Sequence, residues 1–235
     1  VVANKSDEAI FIDKGKVIKY FNNTDKVTKR IERLKYLNDN CPEVNIINEN
    51  MYYYDYIKGE LLSNITDESL MRKCLNDCQS NLWEETYTND NFINDCREMY
   101  EIKTKNRVKS LSGTNLDDIT TINGIKVEPI EVMLNKIDWD RFYMNAIPSN
   151  FHGDFQPENI LYDKKNDKFV LIDWRQQFGN STKIGDVYYD LGKLYHAIMI
   201  NGQSILKDMF DYKVNGDNVN LEFYAKSNLV SFMQI

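Results

Sequence analysis

Residues 151–174 read FHGDFQPENILYDKKNDKFVLIDW and gather Asp154, Asn159 and Asp173 around one loop and two β-rich runs. The runs Ile160 to Tyr162 and Phe169 to Ile172 are short strands in this reading, and the charged DKKND between them is their turn. Phosphoryl transfer leaves little covalent work for a protein. It needs a carboxylate to orient and deprotonate the incoming hydroxyl, and oxygen ligands to hold magnesium on the phosphates. Asp154 fits the first role. Asn159, five residues on, can turn an amide oxygen toward the same point, and Asp173 at the end of the second strand can supply the carboxylate ligand.

Three ordered motifs carry a family resemblance: HGDFQPEN, then LIDW, then GDVYYDLGKL. Together they resemble the catalytic loop, the metal-binding Asp motif and the following Gly-Asp segment of the aminoglycoside phosphotransferase and choline kinase superfamily. That superfamily is distantly related to protein kinases. The resemblance implies an α+β, two-lobed, protein-kinase-like fold, with a small antiparallel-sheet N-lobe and a larger, mainly helical C-lobe. It implies Asp154 as catalytic base, Asn159 and Asp173 as magnesium ligands, a structural His152, and an Asp190 that braces the catalytic loop. Asp186 either does likewise or faces the substrate.

Working back from this segment, Ala9 to Asp13 and Val17 to Phe21 read as a hairpin about the turn Lys14-Gly15. A helix capped by Thr24 or Asp25 follows, with Val27, Ile31, Leu34 and Leu37 at helical spacing, and it stops before Pro42. Two more β-rich runs lie within residues 44–57, so four strands and one helix are read before Gly59, and the fold that the resemblance implies makes the expected antiparallel sheet five-stranded. This sets the domains as 1–59, a nucleotide-binding lobe with its hinge, and 60–235, a helical lobe with the catalytic loop and acceptor site. In the first, Lys19 of VIKYF resembles the strand lysine that contacts the α- and β-phosphates. Glu32 is its natural ion-pair partner, with Glu43 and Asp25 as alternatives. YYYDYIKGELL resembles the segment between lobes, where Asp55 and Ile57 offer a backbone carbonyl and amide to adenine. No glycine-rich phosphate loop precedes the hairpin, and in ANKSDEA only Ser6 is a plausible phosphate donor. The chain starts at Val1 without Met, which leaves room for upstream residues that complete this loop.

Working forward, Asp67 to Trp83, Phe92 to Lys109, Ile130 to Trp139 and Arg141 to Asn145 read as helices, and Ser110 to Val127 as a loop with a short hairpin at Asn123-Gly124. From Val187 to the end the pattern reads as mainly helical.

The 235 residues, 42% hydrophobic, are enough to bury a sizeable core. A net charge of -7 opposes nucleic acid as a partner, because such binding rests on clustered Lys and Arg. No apolar run approaches the ~20 residues of a membrane span, and no signal peptide is visible, so a cytoplasmic protein is expected. The four cysteines form no CxxC pair and, with two histidines, give no zinc spacing. Buried thiols are expected.

The activity implied is a small-molecule kinase. It moves the γ-phosphoryl group of ATP, or alternatively GTP, with Mg2+, onto a hydroxyl of an aminoglycoside, an amino alcohol such as choline, or a sugar. Gly153 stands where a protein kinase has Arg, Gln156 where it has Lys, and twelve residues separate Asp173 from Asp186, too few for an activation loop and peptide platform. A protein kinase is thereby disfavoured. A catalytically dead nucleotide-binding scaffold is the other alternative. Trp139, Phe142, Tyr143, Trp174, Tyr188, Tyr189 and Tyr195 could offer aromatic faces to a cationic acceptor or a sugar ring.

Overall fold

The computed structural model describes residues 3–4, 6–86, 91–111, 113–200, 202–223 and 227–233. Contacts divide the chain into two compact units, one comprising Val1–Phe92 with Ile147–Leu194 and the other Ile93–Ala146 with Tyr195–Ile235. Lys5, within ANKSDEA, lies outside the described residues.

In the first unit, strands β1 (Ala3–Asn4), β2 (Glu8–Asp13), β3 (Lys16–Phe21), β4 (Asn45–Asn48) and β5 (Met51–Asp55) form one antiparallel sheet in the order β1-β2-β3-β5-β4. This is the five-stranded sheet expected from the sequence. The β2–β3 turn works because Lys14 and Gly15 both take positive φ, 45° and 74°, which matches the twist of a two-residue hairpin. Helix α1 (Thr24–Arg33) is capped one residue earlier than expected, by Asn23, whose side-chain oxygen accepts from the amides of Asp25 and Lys26. Beyond Arg33 the chain tightens into short 3-10 turns at Leu34–Tyr36 and Asn38–Asn40.

Phe21, Val27, Tyr52 and Tyr54 make the core between sheet and helix, and Ile172 packs against it. Ile172 precedes Asp173, so this core fixes the end of the LIDW segment against the strand that carries Lys19. The Ile160–Asp163 strand pairs with Lys168–Leu171 on one side and with Glu60–Leu61 on the other. Pro148–Ser149 pairs with Gly185–Asp186, which leads into the Val187–Met199 helix. Cys74, Cys78 and Cys96 are buried and Cys41 is half-buried, all as free thiols. Among the described residues no helix is long and apolar enough to cross a membrane.

The helix that starts at Phe92, the last residue of the first unit's opening stretch, continues in the second unit through a π-helical stretch, Glu98–Ile102, into Lys103–Lys109. Helices Ile130–Asn135 and Trp139–Met144 are divided because Asp138 caps the second through the amide of Arg141. The ending is mainly helical, in Val187–Met199, Gly202–Leu206 and Ser227–Met233, but it also holds a hairpin that the helical expectation left out. Phe210–Asn215 and Asn218–Phe223 form an antiparallel hairpin joined in parallel to Thr121–Ile122, in a four-stranded sheet. Phe210, Tyr212 and Val214 face Phe223, Leu221 and Val219 across it, a period-2 pattern around Asn215-Gly216 that outweighed the helical reading.

Candidate active site

Lys19 leaves β3 on its inner side and is 3% exposed, and its Nζ lies 2.7 Å from Asp173 Oδ1. Burial disfavours the charged ammonium and pulls the Lys19 pKa below its ordinary value, while Asp173 opposes that shift. For Asp173, burial pushes upward, but Lys19 and Arg30 outweigh it and hold the carboxyl far below the usual carboxylate range. Asp173 also takes a φ of 60°, in the left-handed region where a non-glycine residue is strained.

The second cation on Asp173 is Arg30. Its Nη1 reaches the same oxygen, Oδ1, at 2.6 Å, and the Tyr52 hydroxyl at 3.5 Å. Glu32, expected beside Lys19, instead accepts from the Thr182 hydroxyl at 3.4 Å. Helix geometry explains this. Positions 27, 30 and 33 lie along one stripe, all three buried against the core, whereas 32 is turned away. The stripe therefore carries two arginines where the sequence reading placed a carboxylate. Arg33 donates to the carbonyls of Thr182 at 3.2 Å and His152 at 3.3 Å, and also to those of Phe151 and Arg175. It ties α1 to the backbone at the start of the HGDFQPEN loop, Phe151 and His152, and after LIDW, at Arg175 and Thr182.

Within that loop His152 is fully buried, with Nε2 3.0 Å from the Ile172 carbonyl and Nδ1 accepting from the Asp154 amide at 3.2 Å. Burial drives its pKa down to about 4, so the ring is neutral. Gly153 has φ +86°, and an added Cβ there would sit 2.5 Å from the Arg175 Cβ. Asp190 accepts from the amides of His152 at 2.7 Å and Gly153 at 2.6 Å and from the Trp83 indole at 3.0 Å. Burial raises its pKa to about 6 against the pull of those donors. Asp186 Oδ1 accepts from the amides of Ile147 and Tyr188, which is a structural use.

Asp154 stays partly open, and both of its oxygens are engaged. Oδ1 accepts from Gln156 at 3.1 Å and pairs with Lys193 Nζ at 3.0 Å, while Oδ2 accepts from Asn159 Nδ2 at 3.2 Å. Asn159 thus uses its amide nitrogen on Asp154 and keeps its amide oxygen for another partner.

A cavity of about 660 Å³ is lined by Val17, Lys19, Tyr54, Ile57, Asn159 and Asp173, among others. Its apolar wall beside polar oxygens and an ammonium suits a ring joined to an anionic tail. Glu158 also lines it and has a buried carboxylate oxygen, Oε2, without a hydrogen-bond partner. Asp55 lines a neighbouring cavity that shares Tyr56 and Ile57. Ser6 is exposed in the turn between β1 and β2, where its carbonyl accepts from Asn22, and is not part of the lining. The structure thus brings Lys19, Ile57, Asn159 and Asp173 to one cavity and Asp154 to Asn159, and it leaves Glu32 and Ser6 apart. The donor set that could hold magnesium is all oxygen, the amide of Asn159 and the carboxylate of Asp173, and fits a hard cation that takes its remaining ligands from phosphates and water.

Among the aromatic candidates, Trp174 is buried against Tyr52 and donates its indole N–H to the Arg30 carbonyl, and Tyr189 packs on Phe178. Tyr188 is exposed. In the other unit, Phe142 packs against both Trp139 and Tyr100, and Tyr143 donates to Glu101.

Residues 127–214 match the family model of phosphotransferase enzymes. The matched span contains Asp154, Asn159 and Asp173. No curated protein matches the chain in sequence. Among solved structures, the ternary complex of streptomycin, ATP and the phosphotransferase APH(2")-IIa is 15% identical over 99% of this chain and 75% of its own, with a TM-score of 0.51. The gentamicin complex of APH(2")-IIa is 18% identical over 99% and 75%, with a TM-score of 0.45, and a Plasmodium vivax ethanolamine kinase 12% over 83% and 62%, at 0.44. The first of these likenesses and the family match agree with the resemblance read from HGDFQPEN, LIDW and GDVYYDLGKL, and the α+β, kinase-like fold class is borne out.

Arg30, Arg33 and Lys193 escaped the sequence reading. Arg30 had a signal, since it falls on the stripe of Val27, Ile31 and Leu34, where a charge requires a buried partner. Lys193 follows Asp190 by three positions on one helix face, which was equally visible.

Proposed function

We propose that the chain is an ATP-dependent phosphotransferase that moves the γ-phosphoryl group to a hydroxyl of a small molecule such as an aminoglycoside, an amino alcohol or a sugar. The observation that carries this reading is the 2.7 Å contact of Lys19 with Asp173 on the wall of the cavity that Asn159 also lines. Lys19 would hold the α- and β-phosphates of ATP or GTP, with Asp55 and Ile57 at the base, and the hinge near residue 59 would separate a nucleotide lobe from the remainder. Asn159 and Asp173 would hold Mg2+, which when bound neutralises charge on the phosphates. Ser6 as a phosphate donor and Glu32 as a partner of Lys19 have no such support, and the carboxylate that pairs with Lys19 is Asp173. In the reaction the acceptor oxygen bonds to the γ-phosphorus as the bond from that phosphorus to the β,γ-bridging oxygen breaks. The electron pair stays on the nucleoside diphosphate, and the hydroxyl proton passes to Asp154. A reaction that draws on ATP fits a cytoplasmic setting.

One observation favours a second reading. Asp173 is already neutralised by two cations, Lys19 and Arg30, which weakens its call on a metal and suits a nucleotide-binding scaffold. An ATP-consumption screen across amino alcohols, aminoglycosides, sugars and nucleosides, run beside a Mg·ATP binding titration, separates the two. Turnover with any hydroxyl acceptor supports the kinase. Binding without turnover for every class supports the scaffold.

A further inference from the structure

The Val187–Met199 helix and the residue before it present Asp186, Asp190 and Lys193 in succession to the catalytic segment. Asp186 takes the Ile147 amide, Asp190 the amides of His152 and Gly153, and Lys193 reaches the Asp154 carboxylate at 3.0 Å. The two carboxylates meet backbone groups and act as braces. Lys193 instead meets the side chain that takes the acceptor's proton in the proposed reaction, and it is 24% exposed against 35% for Asp154, so neither partner is locked in the core. Gln156 touches the same Asp154 oxygen but carries no charge.

Resting on the phosphotransferase reading, we propose that Lys193 is a catalytic residue, the cation that meets the transferred phosphoryl group beside Asp154. In the resting chain its ammonium is balanced by the Asp154 carboxylate. When Asp154 takes the acceptor's proton it loses its negative charge, and Lys193 loses its counter-ion at the moment charge builds on the phosphoryl oxygens. The reacting atoms approach to about 3–3.5 Å, so a cation already on the base needs only a small movement to reach those oxygens. This attraction is stronger in the transition state than in the ground state, which is the condition for raising turnover rather than affinity. A purely structural Lys193 would be a partly exposed ion pair beside the Tyr189 ring, 6.0 Å away, whose loss would change stability little and leave turnover as it was.

The test compares the wild type with Lys193→Met and with Lys193→Met combined with Gln156→Lys, which returns a cation to the same Asp154 oxygen. The probe is Mg·ATP with water as acceptor, read as phosphate release. Mg·ADP affinity, with and without aluminium fluoride as a planar phosphoryl mimic, is measured alongside. Lys193→Met should lower turnover about 10²-fold and abolish the gain in affinity from aluminium fluoride, with Mg·ADP affinity and melting unchanged. The added Gln156→Lys should recover at least about tenfold. Turnover in Lys193→Met within about threefold of wild type overturns the proposal. So does a folded double variant no faster than the single one. If Lys193→Met melts early, Lys193→Gln gives the same comparison. A wild type that binds no Mg·ADP refutes the phosphotransferase reading as well, whereas binding and turnover indifferent to Lys193 refute this assignment alone.

Discussion

Replacing Asp173 with Asn should destabilise the chain more than its half-buried position in a cavity wall would suggest. The substitution keeps the shape but leaves Lys19 and Arg30, both almost fully buried, facing an uncharged amide at contacts of 2.7 and 2.6 Å. Two charge-assisted hydrogen bonds are worth about 1.5–3 kcal/mol each, and removing one partner of a buried pair costs about 3–5 kcal/mol. Burial already lowers the pKa of Lys19, so it can shed its proton once Asp173 is gone, which holds the total near the smaller figure, about 3–5 kcal/mol. At roughly 2–4 °C per kcal/mol for a chain of this size, the melting temperature should fall by about 6–20 °C. Adding Lys19→Met to Asp173→Asn removes one of the orphaned cations and should return at least about 1 kcal/mol, a non-additivity that distant sites do not show. The assay is thermal and urea unfolding of the two single variants and the double. A fall below about 2 °C for Asp173→Asn, or additive single effects, would refute the shared-oxygen clamp. The same reasoning requires that any loss of magnesium affinity in an Asp173 variant be read beside its melting curve.

His152 is held neutral by burial down to about pH 4, whereas in the unfolded chain it titrates near 6.5. The unfolded state therefore binds more protons between those values, so its contribution is present above pH 6.5 and lost as pH falls to 4, about 3 kcal/mol in all. Asp190, raised to about 6, acts in the opposite sense between pH 4 and 6, so the readout is the stability gap between wild type and His152→Gln, which should widen from pH 4 to 6.5; a constant gap contradicts it. Gly153→Ala forces a side chain into a positive-φ position 2.5 Å from the Arg175 Cβ, so stability and turnover should fall together; a variant that melts like the wild type would show that the loop can shift at no cost.

The N-terminal sheet was legible because its strands alternate around a Lys-Gly turn and the helix after it carries a clear apolar stripe. The candidate site's segment, 151–174, was legible because Asp154, Asn159 and Asp173 are tied to local geometry: a positive-φ Gly153, a 3-10 turn at Pro157–Asn159 and a two-stranded return. The partner of Lys19 was not. Glu32 had the right charge, but which helix residue faces a strand depends on the angle at which the helix docks, and Arg30 and Arg33 point inward instead. The terminal hairpin was missed because short apolar runs read equally as helix or strand unless the Asn-Gly turn between them is given weight.

The claim that Asp154 receives the acceptor's proton is tested most directly by the transfer of γ-labelled phosphate from Mg·ATP to the hydroxyl acceptor found by screening, in the wild type and in Asp154→Asn. The Asn side chain keeps size and can still accept from Gln156 or Asn159, but it cannot take the proton. Transfer should fall by about 10²- to 10⁴-fold while Mg·ATP affinity and melting stay near wild type. An Asp154→Asn chain that keeps most of its transfer activity would contradict the mechanism.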